Sequence, residues 1–256
     1  MPGPGKAQQP EVRVLRTAEA ATEIALAELR RAAAGPARAV VSFATGGTFT
    51  SMLQWLHGEV VAGRLSLERI VATHLDEYEG YGPADRGGMV HELCDACPSL
   101  GGLLRRGSFL PVPHRAAPDE LLQHEARLQQ LGGVELQYLG IGRNGHLAFH
   151  EPGVPWDRGY HIAELSATTR DDARARFLPA GVPARAITAG VAAILRARRI
   201  VLCAFGRSKA AAVRAMLEGE VGPACPASAL RTHPNALVLL DRDAAGQLAL
   251  QVARTG

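Results

Sequence analysis

The sequence predicts a single α/β domain built on a doubly wound, mostly parallel sheet with helices on both faces. Three observations carry that expectation. Short apolar runs rich in valine and leucine, at 37–44, 69–75, 134–142, 199–205 and 236–241, have strand length and little polar alternation, as strands buried on both faces do. Between them lie segments of helical periodicity, at a spacing that fits βαβ units. A chain of 256 residues buries one sizeable core more readily than two small ones.

The elements follow in order. MPGPGKAQQP lacks the apolar stretch of a secretory signal. Residues 1–12 are expected to form a flexible tail ahead of a domain spanning 13–256. AEAATEIALAELRRAAA, 18–34, is an alanine- and leucine-rich helix that Gly35-Pro36 stops. ARAVVSFA, 37–44, is a strand running into TGGT, 45–48, and the helical FTSMLQWLHGEV. RIVATHL, 69–75, is a strand ending at Asp76-Glu77-Tyr78. Helices are expected near 85–95 and over 118–131, the latter capped by Asp119 or a neighbour and closed by Gly132-Gly133. The strand VELQYLGIG enters a loop, RNGHLAFHEPG, and a polar, arginine-rich stretch fills 157–178. A helix over 184–197, the strand RIVLCAF, the turn GRSK capped by Ser208, the helix AAAVRAML and the strand ALVLLD complete the chain. Together these make a Rossmann-like three-layer αβα arrangement, whose ligands bind beyond the carboxyl ends of the strands.

Composition narrows the function. No apolar run reaches the eighteen or so residues that cross a bilayer, so a membrane role is not expected and a cytoplasmic address is. The formal charge of +3 comes from basic residues mixed with acids, not from the stripe that reads a phosphate backbone; nucleic acid is not an expected partner. Lys6 and Lys209 are the only lysines, and every other one of the 28 basic residues is arginine. A lysine retained in such a background suggests that a compact ammonium is needed at position 209. The pair Cys94 and Cys97 has C-x-x-C spacing, but no second close pair completes a metal site. Reduced thiols are expected, with no metal.

Four motifs fall where strands end or helices begin: ATGGT, HLDEYEG, GIGRNGHLAFHEPG and FGRSK. In ATGGT, Gly46 and Gly47 let backbone approach an anion at a helix N-terminus, with Thr45 and Thr48 adding hydroxyls. The pattern is neither a nucleotide P-loop nor a dinucleotide fingerprint, so one phosphate, or simply a tight capped turn, is the reading. Lys209 stands in the first turn of a helix, the wrong end for a cation unless it meets an anion. Asp76, Glu77 and Glu79 crowd one strand end as a base, a metal site or a solvated cluster. His146 and Glu151 make an acid–base pair or a structural histidine, and no nucleophile elbow accompanies them.

In their order along residues 37–241, these motifs, with ATTRDDARARF, AITAGVAAIL and GRSKAAAVRAMLEGEV, resemble the glucosamine-6-phosphate deaminase/isomerase family. The E-P-G after the histidine loop is similar to its deaminase branch rather than to the 6-phosphogluconolactonases. The resemblance implies a cofactor-free aldose–ketose isomerisation with loss of ammonia, the substrate's own nitrogen acting as electron sink. It implies that His146 opens the sugar ring, that Glu151 supports protonation of His146, and that Asp76 moves a proton from C2 towards C1. Thr45, Gly46, Gly47, Thr48, Arg176 and Lys209 match the family's phosphate-binding positions, and 157–187 resembles its mobile lid. Asn144 stands where the family usually has the acid of D-G-H, and His150 replaces the asparagine of N-E-P-G. N-G-H-L is similar to the galactosamine-6-phosphate isomerase subgroup. Family members range from monomers to hexamers, which leaves a homo-oligomer open. Two other readings remain beside deamination: lactone hydrolysis on the same scaffold, and a sugar-phosphate sensor without turnover.

Overall fold

The computed structural model describes residues 9–115, 117–177 and 181–249. In chain order the elements are β1 (Glu11–Leu15), α1 (Ala18–Ala34), β2 (Ala39–Phe43), α2 (Gly47–Val61), β3 (Ile70–His74), β4 (Asp76–Tyr78), α3 (Met89–Ala96), α4 (Pro98–Arg105), α5 (Pro118–Gln130), β5 (Val134–Leu139), β6 (His161–Glu164), α6 (Ala167–Ala173), β7 (Arg185–Thr188), α7 (Val191–Ile194), β8 (Arg199–Ala204), α8 (Ala210–Glu218) and β9 (Ala236–Asp241). Short 3₁₀ turns at Arg174–Phe177, Arg207–Lys209 and Pro226–Thr232 join some of them.

Six strands form one sheet in the order β1-β9-β8-β5-β2-β3, and every pairing in it is parallel. All residues of β2 and β3 are buried, which is what continuous apolar runs require when helices cover both faces. The main core gathers side chains from α1, α2, α3, α4, α8 and the inner strands around the sheet. From β2 the chain moves outward to β3, then returns to place β5 on the other side of β2. The order therefore reverses between β2 and β5, and their carboxyl ends carry TGGT and GIGRNGH. Such a switch point opens a crevice.

A second sheet was not expected. It has three antiparallel strands in the order β4-β7-β6, with its own apolar cluster of Tyr78, Met89, Phe149, Ala163, Leu165, Phe177 and Ala186. Asp76 thus opens a strand of its own instead of lying in a loop. Its neighbour across the ladder is Thr188 of β7, and Thr188 pairs on its other side with His161 of β6.

Other expectations need correction. The segment expected as tail overlaps a strand: β1 starts at Glu11 and pairs with β9 along its length, an edge strand too short to stand out in sequence. The helix expected over 184–197 is β7 followed by the single-turn α7, because tertiary pairing with β4 and β6 overrides the helical propensity of its alanines. The helix near 85–95 starts at Met89, and Pro98 begins a further helix directly after it. The cap of α5 is Ala117, with Pro118 at the first position and Glu120 accepting from the Ala117 amide at 2.7 Å. Lys209, not Ser208, stands at the N-cap of α8.

Candidate active site

A cleft of about 420 Å³ opens at the switch point. Thr45, Gly46, Gly47 and Thr48 from the β2–α2 turn, Asp76, His146, Arg176 and Lys209 all line it. Glu151 and Asn144 stand directly behind His146. The structure therefore brings together every site residue read from the sequence.

The anion end is built from the start of α2. Gly46 has φ +88°, a left-handed conformation that suits glycine, and the first amides of α2 have no partner inside the helix. Lys209 is half-buried, and burial lowers its pKa from the ordinary value, with Asp172 opposing and Arg143 adding to the effect. No carboxylate forms an ion pair with Lys209 among the described residues. Arg176, in the 3₁₀ turn after α6, is paired instead with Glu92 of α3 at 2.7 Å. The second oxygen of Glu92 accepts from the Gly46 amide at 2.8 Å.

The three acids at 76–79 have three different environments. Glu79 is paired with Arg185 across β4 and β7, both guanidinium bonds being 2.7–2.8 Å. Glu77 is buried and accepts the amides of Met89 at 2.8 Å, Val90 at 3.1 Å and Tyr78 at 2.9 Å. It caps α3 from a distance in sequence, because Gly88 at the N-cap has no side chain to do so. Burial pushes Glu77 up to about 7 against the effect of those amides. Asp76 is buried, and its carboxyl has no hydrogen bond among the described residues. Burial, then the neighbouring Glu77 charge, pushes it up to about 8, while Arg176 pulls the other way. An unpaired acid with a pKa near neutrality, at the wall of a cleft, is the setting of a general base.

Opposite it, the loop after β5 folds tightly. Gly145 has φ +86°, and Ala148 is the one non-glycine residue at positive φ, +54°, among the described residues. Gly142 is required for another reason: a Cβ there would lie 2.3 Å from the His146 ring. Nδ1 of His146 stands 3.8 Å from Oε2 of Glu151, an electrostatic contact beyond hydrogen-bond reach. Burial lowers the His146 pKa, and the Glu151 charge opposes this without cancelling it. Burial thus favours the neutral ring, while Glu151 favours the imidazolium, in the sense expected from the sequence. Burial alone would raise Glu151, but bonds from Thr169 at 2.5 Å, Asn144 at 2.8 Å and Ser166 at 3.4 Å, with the His146 charge, hold it below its ordinary value.

Asn144 bonds both to Glu151 and to the histidine loop. Its Nδ2 donates to Glu151 Oε2, and its Oδ1 accepts the His146 amide at 3.2 Å. His150 lies deeper, fully buried, with Nε2 3.2 Å from the Val154 carbonyl oxygen. Sequence reasoning missed Glu92, Thr169, Arg143 and Asp172. Only Thr169 left a signal, since Ser166 caps α6 three residues before it. Arg143 and Asp172 form a bidentate pair across the cleft mouth. Cys94 and Cys97 are free thiols away from the cleft, and burial pushes Cys97 up to about 11.

The chain resembles proteins whose chemistry is known. A curated glucosamine-6-phosphate deaminase of Bacillus velezensis is 38% identical over 81% of this chain and 87% of its own. One from Rhodopirellula baltica is 40% identical over 82% of this chain and 84% of its own. Among solved structures, a monomeric glucosamine-6-phosphate deaminase superposes with a TM-score of 0.84 at 34% identity, covering 93% of this chain and 100% of that one. A 6-phosphogluconolactonase from Trypanosoma brucei shares the fold with a TM-score of 0.72 at 18% identity, covering 94% of this chain and 100% of that one. The family model described as glucosamine-6-phosphate isomerases/6-phosphogluconolactonase matches residues 15–239, from the end of the first strand to the last, and the chain belongs to that family.

Proposed function

We propose that the chain is an amino-sugar-phosphate deaminase that converts glucosamine 6-phosphate and water into a ketose 6-phosphate and ammonia. The observation that carries the reading is the Asp76 carboxyl, pushed up to about 8 and free of hydrogen bonds among the described residues, in one cleft with His146 and Lys209. The names of the curated relatives support the same substrate class.

The phosphate rests on Thr45, Gly46, Gly47 and Thr48, with Lys209 and Arg176 supplying charge. Neutral His146 takes the proton of the anomeric hydroxyl and returns it to the ring oxygen, opening the sugar. The Glu151 carboxylate stabilises the imidazolium that forms in between. Ionised Asp76 removes the proton at C2 while O1 takes one from the substrate's ammonium, giving an enolamine, and Asp76 then delivers the C2 proton to C1. The iminium left at C2 takes up water and expels ammonia. In this reading, α6 and the turn carrying Arg176 serve as a lid, tied by Thr169 to Glu151, by Asp172 to Arg143 and by Arg176 to Glu92.

Purified protein is incubated with glucosamine 6-phosphate and, separately, with galactosamine 6-phosphate, and ammonia and ketose phosphate are measured. Equal release of both products from the gluco epimer is expected. Asp76→Asn should lower kcat by about a thousandfold, the usual range for a lost general base. Ammonia from neither epimer overturns the reading, and turnover of 6-phosphogluconolactone instead assigns the cleft to lactone hydrolysis.

A further inference from the structure

Glu92 has no part in the chemistry above, yet its carboxylate binds two groups that line the anion end of the cleft, Gly46 and Arg176. One oxygen accepts the Gly46 amide at 2.8 Å, and the other holds the Arg176 guanidinium at 2.7 Å. Both donors belong to the set assigned to the substrate's phosphate. The pair stands at the rim of the cleft, the Glu92 side chain 25% exposed and that of Arg176 29%. It joins three segments far apart in sequence: the turn after β2, the first turn of α3 and the turn after α6. A carboxylate and a phosphate ask the same of their surroundings, namely N–H donors and a planar guanidinium that bonds two oxygens at once.

We propose that Glu92 is an internal anion that occupies part of the phosphate site when no substrate is bound, so that the incoming phosphate must displace it. The inference rests on the phosphate reading of the cleft. Gly46 and Arg176 then pass from the carboxylate to the phosphate, and Glu92 turns outward to solvent. Two consequences follow. The segment bearing Arg176 is held against α3 before substrate arrives. The affinity for phosphate is reduced by the fraction of molecules in which Glu92 is docked. A dianionic phosphate, able to engage Lys209 and the α2 amides as well, can displace the carboxylate where a weaker anion cannot.

The test measures binding of inorganic phosphate to the wild-type protein and to Glu92→Gln, Glu92→Ala and Lys209→Ala, with KM and kcat for glucosamine 6-phosphate. Thermal melts establish that each variant is folded. Both Glu92 variants should bind phosphate about tenfold more tightly, as removal of a docked competitor predicts. KM should fall by a similar factor, with a smaller change in kcat. In the wild-type protein, phosphate should move the Gly46 amide resonance as its hydrogen-bond partner changes. Weaker or unchanged phosphate binding in both Glu92 variants, with Lys209→Ala still impaired, overturns the proposal and makes Glu92 a brace for Arg176. A Gly46 resonance that stays in place at saturating phosphate overturns it as well. Absence of phosphate binding by every protein, the wild type included, instead overturns the phosphate reading and removes the basis of the inference.

Discussion

Asn144 donates to Glu151 Oε2 at 2.8 Å and accepts the His146 amide, so one side chain orients the acid and pins the histidine loop. Aspartate at this position keeps the bond to the amide but turns the other contact into one between two carboxylates. The added negative charge beside His146 favours the imidazolium and raises a pKa that burial now depresses. Asn144→Asp should therefore raise the pKa of His146 and move the acid limb of kcat/KM upward. An NMR titration of His146 Cε1–H, read against the pH–rate profile, checks this. The residue was conspicuous in the sequence because it departs from an expected acid. Its partner could not be read there, since Glu151 lies seven positions further on, across a turn closed by Ala148 at positive φ.

At the scale of elements, α3 depends on an acid outside itself. Glu77 takes up the amides of Met89 and Val90 where Gly88 offers no cap. Glu77→Ala leaves those amides buried and unsatisfied, and the protein should lose about 1–3 kcal/mol of stability, or several degrees in Tm for a chain of this size. Because the Glu77 charge helps to raise Asp76, Glu77→Gln should lower the Asp76 pKa, and the pH–rate profile should follow. The six strands of the large sheet were mostly legible, since valine and leucine runs buried on both faces are a strong local signal. The small sheet was not. β4 and β6 are three and four residues long, and HIAE and RAIT have no apolar period of their own. Their strand state comes from pairing with each other and with Asp76–Tyr78. Site residues at strand ends were legible for the converse reason: glycine, histidine and acid clusters interrupt an apolar pattern. Glu92 sits inside an ordinary helical turn and interrupts nothing.

For the whole molecule, buried titratable groups set the pH range of stability. Asp76 and Glu77 have folded pKa values above their unfolded ones. Folding therefore favours their neutral forms, and that contribution fades as pH rises through about 7 and 8. Burial lowers His74 to about 3 and His124 and His150 to about 4. Their contribution is present above the unfolded value and fades as pH falls through those lower ones. The opposing slopes meet between about pH 6 and 7, where the unfolded imidazole titrates, and Tm should peak there. Asp76→Asn should flatten the alkaline side and raise stability above pH 7 by on the order of 1–3 kcal/mol, with Tm rising by several degrees, while destroying turnover. Thermal melts from pH 4 to 9 on both proteins check the prediction.

The small antiparallel sheet carries a mechanical consequence. β6 leads into the segment bearing Thr169 and Arg176, β7 leads out of it, and β4 presents Asp76. The proposed lid and the proposed base are thus fastened to one stiff plate, with Thr188 as the rung between His161 and Asp76. Phe177 packs edge-on against Tyr78 at 4.7 Å, two residues from the proposed base. If the segment bearing Arg176 is the lid, lifting it would pull on the same sheet that holds Asp76, and opening the cleft would disarm the base in the same movement.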